Sequence, residues 1–513
     1  MNRGIDKKYF VFGILILFVG TTLPSCITAE THQIDVTKEG KEYALNGRPQ
    51  ALSKLPPKEE WNKTYGGEKD EFAYEVQQTT DGGFIIGGWT KSFGIAKWNP
   101  WVIKTDSNGT EEWNRTYTYY GLANKSGFVQ SVQQTNDHGY ILGCTFFTSA
   151  KDKPVGRGFS REFISSLVLI KTDVAGAELW NRTYTGLEYS TCFYVRQTSD
   201  NGYIATGGGN SSSYLPTNLF LLKTAADGTM QWLRSYGTSD MYEEGHAVQQ
   251  TSDGGYIVTG ISDLNYDTNW GEIWLIKTDS NGLISWSKKF QGSLETGSYG
   301  NSVQETSDHG YVIAGMLNVQ GCLLKTDASG TELWRKNPFL NDYRLFYYSG
   351  KQTTDGGYIA TGMGLVKTDA QGNEEWNKTM PQPFICDLQS SDGGYVMVGS
   401  TSGYYGGDIW LMKFATPQVA FTILGGRGVQ EKITNTGAVD ADGVAWQIHV
   451  EGGILHHINR TLNGSVNIPV GASEEVGTGS FFGLGGIQIT ATVTTETKTV
   501  QGIQVLVFTI VKS

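Results

Sequence analysis

Apolar and polar positions alternate along most of this chain in runs of four to seven residues, with the period of two that marks a half-buried strand. Val248 to Thr251, Tyr256 to Gly260 and Ile273 to Thr278 are typical: β-branched and aromatic side chains bounded by Gly, Asp, Asn or Ser. Such runs read as short strands joined by tight turns. They also recur as a set. Asp-Gly-Gly-Tyr, or a close variant, begins at Asp81, Asp137, Asp200, Asp253, Asp308, Asp355 and Asp392. A second element, Lys-Thr-Asp-x-x-Gly-x-x-x-Trp, follows each of the first six, from Lys104, Lys171, Lys223, Lys277, Lys325 and Lys367 to Trp113, Trp180, Trp232, Trp286, Trp334 and Trp376. Ala225 replaces the Asp in the third copy.

Each unit predicts four strands, with the Asp-Gly-Gly turn as a hairpin between the first two. Four-stranded units repeated in this way are blades of a β-propeller. The seventh unit runs from Asp392 through Ile409–Lys413 into Ala415-Thr-Pro without its Trp strand. That strand stands at the other end: Glu60-Trp61-Asn-Lys-Thr-Tyr65 matches Glu112-Trp113-Asn-Arg-Thr-Tyr117 and has no unit before it. The expectation is an all-β protein, a seven-bladed β-propeller over residues 59–416 closed by its N-terminal strand, which would remove the exposed edges. After Pro417 the repeat stops. Residues 417–513 keep the alternation, as in Val444–Val450 and Ile487–Val493, and read as an Ig-like β-sandwich.

The N-terminus has a different pattern. Arg3, Lys7 and Lys8 precede a continuous apolar run from Phe10 to Val19 and a small-residue exit, so residues 1–29 read as a secretory signal and residues 30–58, with Pro56-Pro57, as a linker. Leu23-Pro24-Ser25-Cys26 is similar to a bacterial lipobox, which makes Cys26 a candidate for lipidation. An uncleaved anchor is the alternative. Either way the protein is expected outside the cell or at its surface. Lys and Arg total 40 against 51 Asp and Glu, a net charge of −11, which argues against a nucleic-acid partner. Cys144, Cys192, Cys322 and Cys386 allow three pairings between which the sequence does not choose.

The Lys-Thr-Asp-x-x-Gly-x-x-x-Trp segment resembles the tryptophan-docking repeat of the PQQ-like propeller superfamily, and the whole unit is similar to repeats of secreted archaeal and bacterial propeller proteins. The resemblance implies the fold. Quinone-using members have eight blades and a vicinal Cys-Cys, whereas this chain has seven units and no adjacent cysteines, so no quinone is carried over. Thr251-Ser-Asp-Gly-Gly-Tyr256 also resembles a sialidase Asp-box, without an accompanying arginine triad.

A residue present in every unit serves the scaffold, because one active site needs one copy. By that argument the seven blade tryptophans are packing. The ring Gln78, Gln134, Gln197, Gln250, Glu305, Gln352 and Gln389 satisfies backbone groups of adjacent blades. Turns such as Asp106-Ser-Asn-Gly109 have the oxygen spacing of a calcium loop and equally the chemistry of an Asx-turn. No other metal or cofactor is expected. Binding is sought where blades differ, in the long loops on one face: Trp89, Phe93 and Trp98 in blade one; Arg157, Phe159 and Arg161 in a loop from Phe146 to Ser166 of blade two; Tyr266 and Trp270 in blade four; Tyr343 and Arg344 entering blade six. Asn62, Asn114, Asn181 and Asn377, in the repeated Trp-Asn-Lys/Arg-Thr strand, are candidate N-glycosylation sites. The function expected is non-enzymatic binding of a protein or glycan at the cell surface. The alternative is an extracellular hydrolase or lyase working in a central funnel.

Overall fold

The computed structural model describes residues 50–51, 56–119, 125–155, 158–184, 189–210, 217–238, 241–265, 270–292, 297–318, 320–337, 348–362, 364–380, 384–402, 407–494 and 496–511. The signal, Cys26, Arg157, Tyr266, Tyr343 and Arg344 lie outside them. Among the described residues no helix is long and apolar enough to cross a membrane.

The described chain is all-β. Six four-stranded antiparallel sheets follow one another in sequence order, as in sheet one, built from Glu71–Gln78, Phe84–Thr90, Asn99–Thr105 and Glu111–Thr116. A seventh combines Phe384–Gln389, Tyr395–Ser400 and Ile409–Ala415 with Lys58–Tyr65, and Trp61 pairs with Lys413 in its register. The expected N-terminal strand is therefore the outer strand of the last sheet. What sequence analysis read as a loop in the second unit is instead a long hairpin of Tyr140–Val155 and Gly158–Thr172, with Phe159 opposite Pro154 and Arg161 opposite Asp152.

Three contacts recur from sheet to sheet. In the first, the amide or carboxylate side chain ending each first strand accepts an N–H from the turn of the preceding sheet. Thr80 donates to Gln134 (2.8 Å), Asn136 to Gln197 (2.9 Å), Ser199 to Gln250 (2.8 Å), Ser252 to Glu305 (2.7 Å), Ser307 to Gln352 (2.8 Å) and Thr354 to Gln389 (3.3 Å). Ser391 then donates back to Gln78 (2.9 Å), so the series closes on itself.

In the second, the outer-strand tryptophan meets the aromatic ring that follows the next sheet's first turn. Trp61 meets Phe84, Trp113 Tyr140, Trp180 Tyr203, Trp232 Tyr256, Trp286 Tyr311, Trp334 Tyr358 and Trp376 Tyr395, with centroids 5.4 to 5.9 Å apart. Edge-on geometry suits the ring quadrupoles. The same indole also covers the glycine of the next sheet's second turn. At Gly282 (φ +76°) a Cβ would come within 2.8 Å of Trp232, so space and backbone both require glycine.

The third contact lies within each sheet, where a buried lysine reaches back to the aspartate of the turn. Lys104 pairs with Asp81, Lys171 with Asp137, Lys223 with Asp200, Lys277 with Asp253, Lys325 with Asp308, Lys367 with Asp355 and Lys413 with Asp392, at 2.6 to 3.0 Å. Lys277 Nζ also donates to the Thr278 carbonyl (3.0 Å). At Gly255 a Cβ would stand 2.6 Å from that Nζ, which explains the second glycine of the turn. The first has positive φ, and His138, Asn201 and His309 take the same conformation in three units (φ 61° to 63°). Those histidines are turn residues.

Beyond Ala415 two further sheets share one core. Gln418–Leu424, Gln430–Asn435 and Ser473–Gly477 form one; Ala441–Gly452, Ile458–Ile468, Gly483–Val493, Glu496–Leu506 and Phe508–Val511 form the other. Phe421, Ile433, Val444, Ile448, Ile487 and Ile489 are buried between them. Gln50–Ala51, within the expected linker, adds an edge strand by pairing with Gln418–Val419.

The two regions set opposite pH limits. In Asp81, burial works against the charged form but is outweighed by hydrogen bonds from Thr79, Lys104 and the Gly83 N–H, bringing the carboxyl down to about 2. Asp200, Asp253 and Asp308 reach the same value for the same reasons. A depressed folded-state pKa contributes stability that is complete above the ordinary aspartate range and lost as pH falls through it. The melting temperature should hold down to about pH 4 and fall steeply toward pH 2. Glu431 behaves in the opposite sense. Buried with neither carboxylate oxygen partnered, it is pushed by desolvation, against the pull of Lys498, up to about 8. Its contribution is complete below the usual glutamate range and lost as pH rises toward 8. Glu431→Leu should therefore melt higher than the parent at pH 8, with the difference shrinking toward pH 5; an equal difference at both would refute this account.

Candidate functional site

The first strands of the seven sheets stand side by side, and those of the first six line a cavity of about 960 Å³. Its lining is unequal. Phe72, Tyr74 and Trp89 of sheet one join Phe128 of sheet two and Trp98, which precedes the third strand of sheet one, in a continuous aromatic wall. Phe72 stacks on Trp89 (6.0 Å, 17° between planes), while Phe128 tilts against Trp89, Trp98 and Tyr74 at 5.9 to 6.4 Å. Other sheets contribute Arg196, His246 and Lys351.

Between these stand carboxamides one position before the conserved scaffold glutamine. The Oε1 atoms of Gln77, Gln133, Gln249 and Gln304 accept the N–H of Gln134, Gln197, Glu305 and Gln352 at 2.6 to 3.2 Å. With the carbonyl side so engaged, each amide has its NH₂ to offer a ligand. In sheets three and six the same position carries Arg196 and Lys351, and in sheet seven Leu388.

Arg196 is fixed from several sides. Its guanidinium lies over the Tyr194 ring (3.7 Å to the centroid), donates to Ser131 Oγ (3.1 Å) and the Val195 carbonyl (2.7 Å), and pairs with Glu75. Glu75 also accepts the Ser131 hydroxyl and the Val132 N–H, both at 2.8 Å. Three sheets thus meet in one buried ionic network. His246 Nδ1 faces the Gly300 carbonyl at 3.0 Å, which makes that nitrogen the protonated one, and its ring packs edge-on against Phe193 and Tyr299.

Of the residues expected to bind, Trp89 and Trp98 do line this cavity. Phe93 packs instead on Trp101 (5.3 Å), outside the lining. Phe159 and Arg161 lie along the long hairpin, and Trp270 begins a strand opposite Asn265. Asn62, Asn114 and Asn377 are exposed on outer strands and Asn181 half-exposed; each donates to the glutamate three residues earlier. Cys144, Cys192 and Cys322 are buried free thiols. Asp106 Oδ1 accepts the N–H groups of Asn108 (2.9 Å) and Thr110 (2.7 Å), so the turn's own backbone uses the oxygen a calcium loop would need. Looking for variation in loops alone missed Arg196, His246 and Lys351. For Arg196 and Lys351 the signal is irregularity at one inner-strand position: Gln77, Gln133, Arg196, Gln249, Gln304, Lys351, Leu388.

No family model and no curated protein matches the chain. Among solved structures it is similar to β-propeller proteins. The Pan2 WD40 domain of Neurospora crassa is 9% identical over 66% of this chain and 88% of that one, with a TM-score of 0.43. BamB of Moraxella catarrhalis is 11% identical over 70% and 98%, with a TM-score of 0.37. PorZ, a surface component of the type-IX secretion system of Porphyromonas gingivalis, is 9% identical over 84% of this chain and 59% of its own, with a TM-score of 0.45. Likenesses at this level assign neither a family nor a function.

Proposed function

We propose that this is an exported, non-enzymatic cell-surface protein, a seven-bladed propeller closed by its N-terminal strand and followed by an Ig-like sandwich. It binds a protein or glycan partner at the mouth of the central cavity. The observation that carries the reading is the unequal lining: an aromatic wall of Phe72, Trp89, Trp98 and Phe128 faces a space edged by carboxamide NH₂ groups, Arg196 and Lys351. Apolar rings beside fixed polar groups supply contact area and orientation at small entropic cost. A sugar ring fits this set well, with its C–H face on an indole and its hydroxyls on the amides. The strong signal-like N-terminus supports export, with anchoring through Cys26 as one route to the surface.

The rival reading is a hydrolase or lyase in the same space. Among the described residues lining the cavity the one carboxylate is Glu75, which is already engaged by Arg196, Ser131 and Val132. Binding therefore asks less of this geometry than acid–base chemistry does. The purified protein should be screened against glycan and surface-protein arrays, and the best ligand retested with Trp98→Ala. Trp98 is half-buried, so its removal should leave the fold intact. Loss of a central aromatic contact costs about 2 kcal/mol, roughly thirty-fold in affinity. Full affinity in that variant would place the ligand elsewhere, and turnover of a glycan by the parent, abolished in Glu75→Gln, would establish the enzyme.

A further inference from the structure

The junction between sheets three and four gathers oxygen atoms that nothing satisfies. At the start of five of the first strands, one residue bonds its N–H to the preceding sheet. It is Gly127, Ser190 and Ser298 at three junctions, and a glutamate at two, Glu71 and Glu243. Glu71 is fully engaged. It accepts the Thr90 hydroxyl (2.8 Å) and the N–H groups of Ser92 (3.2 Å) and Gly67 (3.3 Å), and it contacts the carboxyl of Asp408, which that contact and burial raise.

Glu243 is 2% exposed and far less satisfied. One oxygen accepts two long contacts from Thr238, at 3.2 and 3.3 Å. Its Oε2 has no partner, and neither have Asn218 Oδ1, Thr217 Oγ1 and Ser262 Oγ, all buried. Thr217 and Asn218 are adjacent, and the Thr217 carbonyl accepts the Glu243 N–H at 2.8 Å. Ser262 holds the place beside Glu243 that Thr90 holds beside Glu71. A Cβ built at Gly237 would lie 2.5 Å from Glu243 Oε2 and 3.0 Å from Asn218 Oδ1, so both oxygens stand against the same glycine. Those two oxygens therefore converge on one space.

Unpartnered buried oxygens are costly when left so. A second observation concerns charge. Asp263 and Lys289 act on Glu243, and Glu272 interacts with both of them; Lys289 is paired to Asp263, so three carboxylates share one ammonium. We propose that the place where these two oxygens meet is a calcium site, with Glu243 Oε2 and Asn218 Oδ1 as side-chain ligands and water completing the shell. All the donors are oxygens, with neither imidazole nor thiolate among them, as a hard cation requires. Magnesium demands a stricter octahedron and gives up water reluctantly, which suits this mixed set less well. A single carboxylate in contact implies modest affinity, in the range of about 10⁻⁴ to 10⁻³ M that extracellular modules use.

The test uses the whole chain stripped with a chelator. Adding calcium at pH 7.5 should raise the melting temperature, half-maximally at about 10⁻⁴ to 10⁻³ M. Glu243→Gln, isosteric and uncharged, should lose that rise and bind one calcium fewer by calorimetric titration. Asn218→Asp, which recreates the acid pair of the Glu71 junction, should lower the half-saturating concentration by about ten-fold, following ligand charge. The proposal is overturned if Glu243→Gln keeps the full response, or if magnesium at the same concentration gives an equal one. It is equally overturned if the parent does not respond and Glu243→Gln is as stable as the parent, because Glu243 is then simply a buried neutral acid.

Discussion

A four-stranded sheet with two apolar faces cannot cover either by itself, and this constraint governs the rest of the molecule. Phe84, Ile86 and Trp101 of sheet one are buried against Val396, Val398 and Leu411 of sheet seven, while Ile85 and Val102, on its other face, pack into sheet two. No sheet in this series is therefore independently stable, and an unclosed row would leave two faces wet. The hydrogen bond from Ser391 to Gln78 and the strand Lys58–Tyr65 beside Ile409–Ala415 matter for this reason: they make the last sheet a neighbour of the first. The side-chain ring, the indole contacts and the lysine–aspartate pairs all act where one sheet or turn meets the next, so they stabilise the junctions on which burial depends.

Much of this was legible in the sequence because a scaffold element must be repeated to work. The tetrapeptide at Asp253, the lysine at Lys277 and the indole at Trp286 recur at fixed spacing since each fills the same place in every unit. Even the two odd histidines follow: His138 and His309 stand where other units have glycine and adopt its positive φ. The strand ends were less legible. Phe146 to Val155 does not alternate and carries Asp152 and Pro154, so its composition reads as a loop, and only pairing over that span decides that it is a hairpin.

The site was legible only in part, for a related physical reason. A ligand contact needs a single copy, so it shows as a departure from the repeat and carries no internal confirmation. Trp89 and Trp98 stood out as aromatics at and beyond a strand end, whereas Arg196 sits next to last in a strand that looks regular. Its meaning depends on Glu75, 121 residues earlier, and on Ser131 in the sheet between them. No local pattern connects the three. Glu243 is harder still, because what distinguishes it from Glu71 is the set of partners it lacks.

The pairing of Lys58 with Ala415 has a mechanical consequence. The segments entering and leaving the ring lie on neighbouring strands at the same end, so tension between the segment before Lys58 and the C-terminal sheets passes through that one pair and bypasses the other six sheets. Antiparallel strands pulled from adjacent ends separate bond by bond, like a zipper, at far lower force than strands slid lengthwise. The Lys58–Asp442 ion pair and the short Gln50–Ala51 strand on Gln418–Val419 lie directly in that path. They would yield before any hydrogen bond of the ring, leaving the cavity undistorted while the outer segments extend.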